Sequence, residues 1–206
     1  MHPITTMVQF INMAAMSRGV CAFLAVVLLL FCLYEPLSVL AHSTSEQLYF
    51  EILYPVDINY LFKIRPAKDF GAPFDFRYDH IHLVPTDPAQ SCTVLNNGQS
   101  LQGAIAMVER GGCSFMSKAL MVERYGAVAV VIYDSNQQDN EHWVDMIQDE
   151  TERDTNIAAA FLLGKDGSMI KRSLQAHRLP AATISIPVNI TSIPLSGYKQ
   201  PPWSFW

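Results

Sequence analysis

Four groups of residues in this chain are of types and spacings that could do chemistry. Cys113 follows Arg110-Gly111-Gly112 and directly precedes Ser114, which is suited to cap a helix. A thiol at a helix N-terminus ionises more readily, and with a histidine as base it could serve as a hydrolytic nucleophile. Cys92, about 20 residues earlier, offers that sulfur its other fate, a disulfide. His80 and His82 stand two apart on a strand-like stretch, so they would project to one face and could begin a zinc site. Spacing identifies no third ligand, and two ordinary polar strand positions are the plainer reading. Asp134, Asp139, Glu141, Asp145, Asp149, Glu150, Glu152 and Asp154 form an acidic stretch. Its oxygens could take calcium, but the EF-hand spacing and its central glycine are missing, so a solvated loop is expected. Asn189-Ile190-Thr191 is the single N-x-S/T sequence, an N-glycan acceptor in a chain that enters the secretory pathway.

Other chemistries find no foothold. There is no HExxH, no GxSxG, no GxGxxG and no phosphate loop. His177 falls on the polar side of a capped helix. No pair of carboxylates is nominated by spacing as acid and base. We therefore expect no catalytic residue, no metal and no cofactor. Lysine and arginine number 14 against 19 aspartates and glutamates, a net charge of −5. An acidic chain is a poor match for nucleic acid and gives no polybasic reason to sit on anionic lipid.

The elements that would position these residues begin after a leader. Val20 to Tyr34 is a continuous apolar run that follows Arg18 and precedes Glu35 and Pro36. A spanning helix wants about 20 residues, and this run is shorter. Val39 and Ala41 place small residues at the −3 and −1 positions of a cleavage site before His42. Residues 1–41 read as a signal peptide, with an uncleaved anchor over residues 20–34 as the alternative. The first 15 residues carry no Lys or Arg, so initiation at Met16 would give a more ordinary start. Cleavage removes Cys21 and Cys32 and leaves Cys92 and Cys113, an even number in an oxidising compartment. Their pairing outweighs the nucleophile reading, and a secreted product is expected.

The centre of the chain runs AIAMVERGGCSFMSKALMVERYGAVAVVIYDS, from Ala104 to Ser135. Ala104 to Glu109 and Ala127 to Tyr133 are short apolar runs without alternation, as in strands covered on both faces. Between them Ser114 can cap a helix in which Phe115, Ala119 and Val122 recur at helical spacing, and Gly126 stops it. Strand, helix and strand make a βαβ unit. Further strands are expected over 48–54, 58–64, 81–84, 157–163 and 183–188. Pro187 suggests an edge position for the last of these. Asp166 is expected to cap a helix running to about His177, with Ile170 and Leu174 on its inner face. The polar stretch 136–156 is interrupted by Trp143, Val144, Met146 and Ile147, so it is not simply disordered.

The ERGGCSF sequence, Lys118 and the YGAVAVVIYDS strand resemble the core of the protease-associated domain family. PAKDFGA at 66–72, VPTDPAQSC ending at Cys92 and AAAFLLGKDG at 158–167 agree in order. The resemblance covers roughly residues 46–190 and implies an α/β fold, a curved, partly open β-barrel with flanking helices. Domains of this family accompany peptidases, sorting receptors and ubiquitin ligases, and mediate protein interaction or limit substrate access. The implied organisation is a single such domain over 42–206 with an aromatic C-terminal tail. The implied function is a secreted, non-catalytic glycoprotein that binds a protein or peptide. A cysteine hydrolase using Cys113 and a membrane-anchored adaptor are the alternatives. Trp143, Trp203, Phe205 and Trp206 are the candidate interaction residues. Pro201 and Pro202 hold the tail extended, and at least two of its aromatics are expected to pack near Trp143. As an exposed docking peptide the same tail would present aromatic anchors to another protein.

Overall fold

The first two strands show how side-chain alternation builds this molecule. In β1 (Leu48–Tyr54), Phe50 and Ile52 point inward and are fully buried, Glu51 between them is only partly buried, and Tyr54 is exposed beyond a register irregularity after Ile52. β2 (Leu61–Pro66) returns antiparallel after a single 3-10 turn, with Phe50 opposite Phe62. Those two rings stack with centroids 5.2 Å apart. The computed structural model describes residues 47–192, 197 and 199–204. The signal peptide over 1–41, the apolar run 20–34, Met16, Phe205 and Trp206 lie outside the described residues.

β3 (Tyr78–Pro85) leads through a long loop to β4 (Ile105–Glu109), α1 (Phe115–Arg124) and β5 (Ala129–Tyr133). The expected βαβ unit is present, and β4 and β5 are parallel and in register from Ile105↔Ala129 to Glu109↔Tyr133. Ser114 caps α1 by accepting a hydrogen bond from Ser117 N at 3.1 Å. Gly126 takes φ +81°, the left-handed turn that ends the helix and that a side chain resists. β6 (Ala158–Leu162), α2 (Gly164–His177) and β7 (Ala182–Ile186) complete the chain order.

The strands pair in the ring β1-β2-β6-β5-β4-β3-β7, and β7 pairs with β1 again. The barrel is thus closed rather than partly open. β3, β4, β5 and β6 run parallel in sequence around one side, and the other pairings are antiparallel. Pro187 does not mark an edge strand. β7 is flanked on both sides, and Pro187 lies one residue past Ile186, the last rung, where a missing N–H costs nothing.

Alternation sorts the core into two parts. Ile105, Met107, Val131, Ala160, Leu162 and Ile184 fill the barrel with Phe50 and Phe62. Val108, Val130, Ile132 and Phe161 point outward and are covered by Met116, Ala119 and Val122 of α1. Both faces of β4–β6 are therefore dry, which is why those strands read as unbroken apolar runs. Ile170 and Leu174 of α2 join the barrel core, as their spacing predicts.

Two local expectations need correcting or refining. Asp166 does not cap α2; the capping position is Leu163, and the Asp166 side chain turns to Trp203. The 136–156 stretch forms no regular element yet is pinned throughout. Met146 is fully buried and its carbonyl accepts from Lys68 N at 3.0 Å. Asp145 pairs with Arg65 at 2.8 Å, and Glu123 of α1 accepts from Thr155 Oγ1 and Asn156 N at 2.7 and 3.0 Å.

Candidate functional site

Cys92 and Cys113 are bonded, with S–S 2.05 Å and Cα–Cα 5.8 Å. The sulfur that could have been a nucleophile is consumed, so the hydrolase alternative loses its thiol. Beneath the bond lies Lys118, which the sequence marks as part of the family resemblance without showing what it does. Lys118 is fully buried, and its Nζ donates to the carbonyls of Gln90 and Gly111 at 2.6 and 2.5 Å. The same ammonium is 3.6 Å from Cys92 Sγ. Burial pulls its pKa down to about 8, against the opposing charge of Glu109. Lys118 thus ties the Cys92 loop to the Gly111-Gly112 turn from inside. A signal was available: Lys118 stands four residues before Val122 on the apolar face of α1.

His80 and His82 do not stand on a regular stretch of strand, so the alternation that would put them on one face does not apply. His80 takes φ 59° inside the irregularity between Tyr78 and Ile81 of β3, and both imidazoles are exposed. Among the described residues no group of three His, Cys, Asp or Glu side chains is placed to hold a metal ion. Members of the acidic stretch are engaged locally instead. Asp149 accepts from Ser114 Oγ, from Thr151 Oγ1 at 2.5 Å and from Arg153 at 2.5 Å. The Ser114 and Thr151 hydroxyls hold its pKa at about 2.

Trp143 and Trp203, far apart in sequence, meet at one cleft. Trp143 packs its edge on Phe161, with centroids 6.4 Å apart, and remains half-buried. Arg65 Cζ and Lys63 Nζ of β2 stand 5.3 and 5.8 Å from its ring centroid. The tail is held at the same place by one backbone hydrogen bond to the start of β2, from Leu61 N to Lys199 O at 2.7 Å, and by the burial of Pro201. Trp203 then donates its indole N–H to Asp166 Oδ1 at 2.8 Å, under Lys165 Nζ at 4.7 Å from the ring centroid. Burial raises Asp166 to about 6, opposed by the Trp203 hydrogen bond and the Lys165 charge. A cavity of about 240 Å³ opens between the two indoles, with Leu61, Lys63, Glu141 and Leu163 on its walls. Of the tail aromatics, Trp203 alone can be placed; Phe205 and Trp206 fall outside the described residues.

A second polar cavity, about 270 Å³, lies where β4 and β5 end. Tyr133 donates to Glu109 Oε2 at 2.7 Å, and Lys171 stands 3.4 Å from both. Burial and then the Glu109 hydrogen bond push the tyrosine pKa far up, so it stays a neutral donor. Among the described residues no helix is long and apolar enough to cross a membrane.

Comparison with known proteins places this geometry. The model of the PA domain matches residues 80–170. The PRADC1-like protein of Drosophila melanogaster is 43% identical over 164 residues, covering 79% of this chain and 84% of that protein. The chain belongs to the protease-associated domain family. A more distant relative, the ER degradation-enhancing alpha-mannosidase-like protein 3 of Homo sapiens, is 28% identical over 99 residues. That match takes in 46% of this chain and only 11% of the mannosidase-like protein. An aminopeptidase from Aneurinibacillus sp. strain AM-1 aligns with TM-score 0.47 and 19% identity, over 68% of this chain and 30% of its own.

Proposed function

We propose that this chain is a secreted, non-catalytic glycoprotein whose single protease-associated domain binds a protein or peptide. The observation that carries this reading is the Trp143–Trp203 cleft. Two half-exposed indoles on a closed barrel form an anchor-type surface, and aromatic anchors dominate binding energy at protein interfaces. The Cys92–Cys113 bond supports the non-catalytic part, because it leaves Cys113 without a thiol. The glycoprotein part has support from the sequon: Asn189 is exposed, and its Oδ1 accepts from Thr191 N and Oγ1 at 3.0 and 2.7 Å. That turn brings the threonine hydroxyl to the amide, a favourable disposition for an acceptor.

Crosslinking and mass spectrometry of the tagged protein collected from medium identify the partner. Purified partner should then bind the wild type directly and lose most of its affinity on Trp143→Ala. Partner binding that ignores Trp143 and Trp203 would move the interaction elsewhere. Removal of the glycan should increase gel mobility, and Asn189→Gln should abolish that change; an unshifted wild-type band refutes the acceptor. Retention in membranes after carbonate washing would overturn secretion in favour of the anchored alternative.

A further inference from the structure

Resting on the interaction reading above, we propose that the Trp143–Trp203 cleft takes a peptide segment carrying a side-chain carboxylate beside an apolar residue. The cleft has two chemistries. Its walls are mixed: two indoles with Leu61 and Leu163 make the apolar part, and Asn140, Glu141, Asp166 and Ser204 the polar part, around about 240 Å³. That volume suits one large side chain of an extended segment, not a folded surface. Lys63 lines the cleft, and two further cations lie against its indoles. Lys63, Arg65 and Lys165 each stand within 6 Å of an indole centroid.

These cations are not equivalent. Arg65 is already neutralised by Asp145 at 2.8 Å. Lys63 and Lys165 make no ion pair with a carboxylate among the described residues. The nearby acids are otherwise disposed. Asp166, 4% exposed, is committed to the Trp203 N–H. Asp139 accepts from His142, and Glu141 lies on the cleft wall without pairing to either lysine. Lys63 is held below its usual pKa by burial and by the Arg65 charge, so an incoming carboxylate would relieve it.

Charge complementarity therefore selects the occupant. The whole chain carries −5, so two unpaired ammoniums at an aromatic cleft are a local feature and not the average of the surface. The same net charge disfavours a polyphosphate backbone. A bare inorganic anion would be stripped of water against indole with nothing apolar to offer in return. An Asp or Glu next to a Phe, Leu or similar residue satisfies both the cations and the apolar part of the walls.

The test uses the full secreted chain and short acetylated, C-amidated peptides, read by calorimetry and tryptophan fluorescence. One peptide carries glutamates flanking a phenylalanine; its counterparts replace both glutamates by glutamine or by lysine. The glutamate peptide should bind about tenfold more tightly than either counterpart, and its affinity should fall with added salt. Lys63→Gln and Lys165→Gln should each weaken it about threefold without changing the melting curve, and Trp143→Ala should remove binding of all three. Equal affinity for the glutamate and glutamine peptides would sink the carboxylate requirement while leaving the interaction reading intact. Binding that survives Trp143→Ala would overturn the site itself. No binding by the full chain also refutes the proposal, and binding seen only after removal of residues 205–206 would assign the cleft to the chain's own tail.

Discussion

Asp166 spends its carboxylate on the indole of Trp203 rather than on the amides of its own helix, and burial raises its pKa to about 6. In an unfolded chain an aspartate titrates near 3.9. Between those values the folded protein keeps a proton that the unfolded chain has released. The contribution of this group is therefore full below about pH 4 and is lost as pH rises through 6, a change of about 2–3 kcal/mol at most. Asp166→Asn keeps the acceptor and removes the titration. The wild type should gain stability relative to Asp166→Asn as urea unfolding is moved from pH 7 to pH 4, and parallel curves would refute the assignment. Lys118 makes a second residue-scale prediction. Lys118→Met leaves the Gln90 and Gly111 carbonyls without their donor and should cost about 2–4 kcal/mol in urea unfolding. A near-neutral result would show that the ammonium is dispensable.

At the scale of elements, the disulfide and Lys118 clamp the same two segments, the Cys92 loop and the turn before α1. The bond closes a loop with a sequence separation of 21, worth about 3 kcal/mol in the chain-entropy account. A Cys92→Ser, Cys113→Ser double variant should lose about that much stability and be secreted less. Two titratable thiols in the native wild type would contradict the bond. The βαβ unit was legible because its signals are local: the Ser114 cap, the Gly126 stop and two runs buried on both faces. Asp166 misled because Asp before a helical pattern is an ordinary capping signal, and nothing local announces an indole 37 positions away. Lys63, Arg65 and Lys165 were equally silent. Their roles come from a cleft assembled from β2, the 136–156 stretch and the tail.

For the whole molecule, the tail is a structural part of the barrel's outer surface through Lys199, Pro201 and Trp203. Truncation after Gln200 uncovers apolar area worth about 2–3 kcal/mol, and should lower the melting temperature by about 5–10 °C. A truncated protein that melts and is secreted normally, yet loses a partner, would make the tail a ligand for another chain. Pro187 misled at this scale, because which neighbours a strand acquires is a property of the closed ring and not of the strand's own residues.

The position of β7 also sets a timetable for synthesis. Among the strands of the described residues this one is made last, and it is the one that joins β1 to β3. Until residue 186 has left the ribosome, the nascent sheet has two unpaired margins. Open margins of that kind template pairing with other chains. A message cut short before this point yields no smaller barrel but a sheet with both flanks bare, a substrate for chaperones and for aggregation. Asn189 emerges three residues after the closing strand, so any glycan there would be attached as the ring is being sealed.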